Sequence, residues 1–206
     1  MEKSDIYLQR SGTREDVDAE LWDDISDLHL DLWRSTWVPM LDHTLRRLQS
    51  AAVPRENWPQ DLHWDWGKKT DWSRGLLTLQ RFAITCGGAL QGLMLVNLTK
   101  LTARLPSQRG KDLAYIEFVS TAPWNRPEIA GVQQFHGIGI NMVRAAIELS
   151  RNEGFHGRIG LHSLSQAASF YSGTCGMSAL GPDRHYDDLD YFEMTPNQAD
   201  AFCRPA

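Results

Sequence analysis

The stretch Gln134-Phe135-His136-Gly137-Ile138-Gly139 has the residue types of an anion site. Gly137 and Gly139 let backbone N–H groups approach a ligand with no Cβ in the way. The apolar run from Ile140 to Arg151 reads as a helix whose positive dipole end points at the same place, so a phosphate fits the loop. A dinucleotide-binding turn needs a further glycine or alanine three residues past Gly139, where Met142 stands, and a Walker loop needs Gly-Lys-Ser/Thr, which does not follow. A plain glycine turn capping a core helix is the other reading of an isolated Gly-x-Gly. A second unusual stretch is His63-Trp64-Asp65-Trp66. If it is extended, His63 and Asp65 share one face and the two tryptophans the other, which makes it either one wall of a substrate cleft or an aromatic cover over the end of a sheet.

Composition narrows what these residues can serve. A chain of 206 residues with 42% hydrophobic and 23% charged residues has enough apolar surface for one full core, and the expectation is a single domain spanning 1–206. Net charge is −5, and no run of lysine or arginine supplies the electrostatic footprint of a nucleic-acid binder. Met1 to Ile6 lacks the apolar centre of a signal peptide and no apolar run reaches the length of a membrane span, so a cytoplasmic protein with no membrane partner is expected. Cys86, Cys175 and Cys203 are odd in number and far apart, which fits reduced thiols. The scattered histidines show no ligand spacing, and no metal is assigned.

The elements that must position the loop follow from periodicity. Ile6 to Arg10 reads as a strand, and Thr13-Arg14-Glu15-Asp16 as the entry to a helix carrying Leu21, Ile25, Leu28 and Leu32 on one face. Pro39 opens a shorter helix through Leu41, Leu45 and Leu48. Leu76 to Thr85 and Ala89 to Thr99, joined by Cys86-Gly87-Gly88, read as a hairpin, with a third antiparallel strand from Leu113 to Thr121. After the glycine loop the helix buries Met142, Val143, Ala146, Ile147 and Leu149, pairs Arg144 with Glu148, and stops at Gly154. A short strand over 157–162, a helix N-capped by Ser165 and running through Tyr171, and a closing strand from Leu189 to Met194 complete the series, with a further strand open around 178–186.

This order, β-α-α-β-β-β-α-β-α-β, together with Gln134-x-x-Gly137-x-Gly139 and with Ala167-x-x-Phe170-Tyr171 followed by Gly176-Met177, resembles the Gcn5-related N-acetyltransferase (GNAT) superfamily. The resemblance covers most of residues 76 to 194. It implies an α/β (α+β) fold with a mixed, mostly antiparallel sheet, splayed at the acyl-CoA site and flanked by helices. Three departures are visible. Ten residues, Trp124 to Gln133, separate Pro123 from Gln134, where the family has a couple; four rather than three residues lie between Tyr171 and Gly176; and Leu164 replaces an asparagine that often hydrogen-bonds the pantetheine side.

The resemblance also implies a chemistry. Transfer of an acetyl group from acetyl-CoA, the co-substrate, to an amine needs a deprotonated nucleophile and a proton for the departing thiolate. Amine and thiol ordinarily titrate near about 10 and about 8.5, so both proton movements gain from placed groups. Tyr171 matches the family's general acid. Glu117, on the strand before the loop, is the expected base, and His162 on the facing strand the runner-up. Val119, Ser120 and Thr121 would meet the pantetheine arm and acetyl carbonyl through their backbones, Gln134, Phe135, His136, Gly137, Ile138 and Gly139 would hold the pyrophosphate, and Ser165 is counted with the cofactor-binding residues. The Trp124 to Gln133 loop and the His63 to Trp66 segment are expected to border the acceptor side. The acceptor is a small-molecule or protein amine, and a homodimer stays open. A catalytically silent acyl-CoA-binding or sensory domain is the alternative from another class. A toxin acetylating charged tRNA is a third, opposed by the acidic chain.

Overall fold

The computed structural model describes residues 1–204. Nine strands join one sheet in the order β6-β1-β2-β3-β4-β5-β7-β9-β8. Of the pairings whose register is described, β5 with β7 is parallel and the others are antiparallel. Residues cluster into two compact units: 1–75, 81–93 and 120–139 form one, and 76–80, 94–119 and 140 onward the other. Strands β3 (Leu79–Cys86), β4 (Ala89–Asn97) and β5 (Ala114–Thr121) contribute to both.

In the first unit the expected N-terminal helix gives way to a hairpin, β1 (Lys3–Arg10) and β2 (Asp16–Trp22). The reason lies in Asp16-Val-Asp-Ala-Glu-Leu: polar and apolar residues alternate with period two, and that local pattern outweighs the helical spacing of Leu21 and Ile25. The helix starts later, where Ser26 and His29 form a reciprocal capping box. From there α1 (Asp27–Leu32), a π-helical turn (Trp33–Trp37) and α2 (Val38–Ser50) run on without a break, in place of two separate helices. Pro39 cannot donate to the ladder, and the wider turn before it, closed by Val38 N–H to the Trp33 carbonyl, absorbs that loss. Residues 63–66 are not an extended wall either. Asp65 caps α3 (Trp66–Ser73) by accepting from Lys68 N–H at 3.0 Å, which leaves His63 exposed and buries Trp66.

The β3–β4 hairpin turns on Gly87 and Gly88, both with positive φ, as a tight two-residue turn demands. The ten-residue insertion is ordered by side chains. It folds into a 3₁₀ turn (Pro123–Asn125) and the short helix α4 (Pro127–Ala130), and buried Gln91 accepts from both Trp124 Nε1 (2.9 Å) and Asn125 Nδ2 (2.8 Å). Asn125 Oδ1 then takes the N–H of Phe135, at the start of β6 (Phe135–His136).

The second unit holds most of α5 (Ile138–Asn152), then β7 (Ile159–Ser163), β8 (Ser178–Asp183), β9 (Leu189–Met194) and α6 (Pro196–Cys203). Helix α5 buries Met142, Val143, Ala146 and Ile147, with Leu149 half-buried. Its outer face departs from expectation: Glu148 pairs with Arg151 at 3.7 Å, and Arg144 lies over the Phe202 ring. The sequence reading missed α6, whose Thr195 and Gln198 form a second capping box. Ser165 is not a helix cap but the first residue of a 3₁₀ turn (Ser165–Ala167). The extra residue between Tyr171 and Gly176 falls in a π-helical turn over Phe170–Thr174, whose hydrogen bonds span one residue more than those of an α-helix.

Candidate active site

Within the second unit, β5 and β7 are neighbours for only part of their length. Their described register runs from Ala114↔Ile159 to Ile116↔Leu161 and ends, while β5 continues to Thr121 and β7 to Ser163. Glu117 is the first β5 residue past that last pair. Period-two alternation puts Tyr115 and Glu117 on one face of the sheet, together with Gly160 and His162 of β7 and Tyr191 and Glu193 of β9.

This face carries a buried polar layer. Gly160 is required there, because a Cβ would sit 2.6 Å from the Tyr191 hydroxyl oxygen. Glu193 is fully buried and fully occupied: its carboxylate accepts from the backbone N–H groups of Arg104 (2.6 Å) and Leu105 (3.0 Å), from Gln108 Nε2 (2.7 Å) and from the Tyr191 hydroxyl (3.1 Å). His162 has both ring nitrogens engaged, Nδ1 with the Tyr115 hydroxyl at 2.8 Å and Nε2 with Asp183 Oδ2 at 3.1 Å. Burial pushes its pKa below the usual histidine value, with Asp183 opposing. The neutral ring that satisfies every partner therefore accepts from Tyr115 and donates to Asp183. Arg104, hydrogen-bonded to Asp183, holds that carboxyl well below the ordinary range. Tyr186 stacks on His162 with ring centroids 3.8 Å apart.

Glu117 differs from its neighbours. Its side chain is 9% exposed, its Oε1 meets the ammonium of Lys100, and its Oε2 is buried without a hydrogen-bond partner among the described residues. An unmade hydrogen bond on a buried carboxylate is costly, so the unfilled oxygen marks a position for a donor. Tyr171 packs against Phe192, which alternates with Tyr191 and Glu193 and so belongs to the opposite face of the sheet. Burial drives its pKa well above the tyrosine value, which keeps the hydroxyl protonated. The two expected proton carriers thus stand on opposite faces.

The glycine loop belongs to the first unit. Gln134 is held at both ends, its N–H on the Trp124 carbonyl (3.1 Å) and its carbonyl on Ser11 N–H (2.9 Å). Phe135 and His136 pair with Arg10 and Gln9 of β1, and His136 Nε2 lies 3.0 Å from Ser11 Oγ. Gly137 then turns with φ +94°, a conformation open to glycine, and α5 starts at Ile138, two residues earlier than its apolar periodicity suggests. The loop therefore delivers the chain directly into a helix N-terminus, where the first N–H groups have no intrahelical acceptor.

No family model and no curated protein sequence matches the chain. Solved structures do. An uncharacterized protein from Bacillus halodurans superposes with a TM-score of 0.58 at 9% identity, over 97% of this chain and 94% of that one. A putative acetyltransferase of the GNAT family from Desulfovibrio desulfuricans gives 0.54 at 12% identity, over 86% and 99%. The PaiA N-acetyltransferase of Thermoplasma acidophilum, solved with coenzyme A, gives 0.51 at 13% identity, over 86% and 98%. The chain has the GNAT fold.

A second polar centre lies in the first unit of this GNAT fold. Trp33, Trp37, Trp64, Trp66 and Leu41 surround a narrow cleft whose polar side is Asp61, Arg126, Ser120 and Thr121. The segment ending at Trp66 and the start of the ten-residue insertion therefore line the same cleft. Arg126 Nη1 lies 2.8 Å from Asp61 Oδ1 and donates to Oδ2 at 2.9 Å; Ser120 Oγ also donates to Oδ2, at 3.3 Å. Arg126 Nε donates to Glu128 at 2.8 Å. The Trp33 indole N–H is buried without a hydrogen-bond partner among the described residues. Asp61, Arg126, Lys100, Tyr115 and Asp183 were not singled out from the sequence. Each gains its meaning from a partner at least 15 residues away, and no local spacing announces that.

Proposed function

We propose that the protein transfers an acetyl group from acetyl-CoA to an amine. The observation that carries this reading is the opening of the β5–β7 ladder at Ile116↔Leu161, with the half-satisfied Glu117 carboxylate at the first position beyond it. In this reading the loop from Gln134 to Gly139 brings the start of α5 to the pyrophosphate, which the first backbone N–H groups of that helix receive; the N–H groups of Gln134 and Phe135 go to the Trp124 carbonyl and Asn125 Oδ1 and hold the loop in place. Backbone groups of Val119, Ser120 and Thr121 take the pantetheine arm and the thioester carbonyl, and Ser165 lies in the turn assigned to the same arm. Glu117 Oε2 accepts a proton from the acceptor ammonium, directly or through a water. Tyr171, kept protonated by burial, returns one to the thiolate from the other face. His162 positions Tyr115 rather than acting as base, since both its nitrogens are spoken for. The tryptophan cleft of the first unit offers aromatic faces that suit a cationic acceptor. The coenzyme A bound by the Thermoplasma protein of this fold supports the choice of donor.

Calorimetric titration with acetyl-CoA, followed by a panel of primary amines with a free-thiol readout, tests this reading. Micromolar binding and thiol release with at least one amine are expected, and Gly137→Glu should remove the binding by adding bulk and like charge at the anion site. Binding without thiol release for any amine would favour the silent acyl-CoA-binding alternative. Absence of binding would sink both.

A further inference from the structure

Lys100 is the other half of the Glu117 pair, and its surroundings are those of a bound ammonium substrate. Its Nζ contacts Glu117 Oε1 and lies 5.0 Å from the Tyr115 ring centroid and 5.2 Å from that of Tyr186, so one carboxylate and two aromatic faces enclose it. We propose that Lys100 is itself an acetyl acceptor, so that the protein modifies its own Lys100 Nζ.

This rests on the acetyl-transfer reading above and adds a product to it. Glu117 takes one proton from the Lys100 ammonium. The neutral Nζ attacks the thioester carbonyl, a C–N bond forms, and the C–S bond breaks. Of the two protons the nitrogen gives up, one ends on the coenzyme A sulfur by way of Tyr171, and one passes from Glu117 to solvent. The products are an acetamide on Lys100 and a free thiol. The acetylated side chain carries no charge, so Glu117 loses its ion partner and its Oε1 becomes available to an external amine.

Exposure makes the inference testable, because uncatalysed acetylation follows access to solvent. The protein has five lysines, Lys3, Lys68, Lys69, Lys100 and Lys111. The Lys68 side chain is 87% exposed and that of Lys3 49%, against 29% for Lys100. Chemical acetylation therefore favours Lys68, and only a neighbouring base and a bound thioester reverse that order. The full chain is incubated with acetyl-CoA and each lysine is followed by peptide mass mapping, with acetyl-CoA binding measured in parallel by calorimetry. Lys100 should be modified at an initial rate roughly tenfold or more above Lys68, and that rate constant should not change when the protein is diluted, as befits an intramolecular step. Glu117→Gln should lower the Lys100 rate roughly 10²–10⁴-fold while the Lys68 rate stays put. Lys100 left unmodified, or modified no faster than Lys68, in protein that binds acetyl-CoA and releases thiol with an added amine overturns self-acetylation and leaves the transfer reading standing. An equal Lys100 rate in Glu117→Gln reduces the adduct to solution chemistry and overturns it as well. Absence of acetyl-CoA binding removes both.

Discussion

Asp61 in the first unit and Glu117 in the second are both buried carboxylates facing a cation, with side chains 11% and 9% exposed. They are held differently. Arg126 brings one nitrogen within 3 Å of both Asp61 oxygens, and Ser120 adds a hydroxyl. Lys100 meets one Glu117 oxygen and leaves the other without a hydrogen bond. The guanidinium is a planar fork with five donors, already shared between Asp61 and Glu128, whereas an ammonium is a point charge on a flexible stem. Glu193 shows the limiting case, with four donors on one carboxylate and nothing left to accept a substrate. Burial and an open acceptor do not separate Asp61 from Glu117, since Asp61 Oδ1 also makes no hydrogen bond among the described residues; what separates them is the cation, which reaches both oxygens of Asp61 and one of Glu117.

The largest expected effect comes from removing basicity while keeping shape. Glu117→Gln should lower kcat roughly 10²–10⁴-fold if the open oxygen is the base, whereas Asp61→Asn should act mainly on the acceptor KM and leave kcat within roughly threefold. Steady-state kinetics on both variants would break the comparison if the two effects were exchanged. Tyr171, the proposed acid, sharpens it. Because burial raises the Tyr171 pKa, the alkaline fall of kcat/KM should lie above pH 10, and Tyr171→Phe should lower kcat with little change in the acetyl-CoA dissociation constant. An alkaline limb centred at pH 8 would assign the acid to another group.

How much of this could be read from the chain depends on the distance over which each signal acts. Gly137 and the helix after it were legible because the turn, the glycine and the apolar periodicity fall within one window. The β3–β4 hairpin was legible for the same reason, through Gly87-Gly88. The β2 strand was missed because two periodicities overlap in residues 16–25, and strand pairing with β1 and β3 decides between them. Residues 63–66 were misread as extended because Asp65 acts through a cap on Lys68 N–H, a bond that a pattern of alternating residue types does not reveal. Glu117 could be named from its place on β5, yet the difference between it and Glu193 lies in donors that arrive from residues 100–108, and that is settled only in three dimensions.

Stability should separate the two pairs next. Arg126→Ala strands Asp61, 11% exposed, without a cation that is itself 13% exposed, and breaking such a buried pair costs about 3–5 kcal/mol. Lys100 is 29% exposed, so water can take over part of its role, and Lys100→Ala should cost about 1 kcal/mol. Urea unfolding of the two variants measures the difference. Equal losses would mean that Glu117 relies on its cation as heavily as Asp61 does, and the distinction between a structural and a working pair would fail.

The smallest expected effect concerns two buried histidines, one in each unit. His29 takes Ser26 N–H on Nδ1 and meets the Trp22 ring edge-on, while His162 lies between Tyr115 and Asp183. Burial lowers both pKa values, in each case against the pull of nearby carboxylates. The sign follows from which state binds protons. An unfolded histidine takes up a proton near pH 6.5, and the folded one resists until lower pH, so the unfolded state holds more protons in that interval and stability falls as the pH drops below about 6.5. Each histidine adds at most about 1.4 kcal/mol per pH unit to the slope. Unfolding free energies between pH 7 and 5 should therefore show an uptake approaching two protons in the wild type and one in His162→Gln. The absolute stability of the variant is not the readout, since glutamine also changes the bonds to Tyr115 and Asp183; the slope is. An unchanged slope would mean that Asp183 lets His162 take its proton in the folded state, as an ion pair. The second unit would then hold a charged histidine beside Tyr115 where a neutral one is assigned, and the Tyr115 hydroxyl, deprived of its acceptor nitrogen, would have to turn elsewhere on the face that carries Glu117.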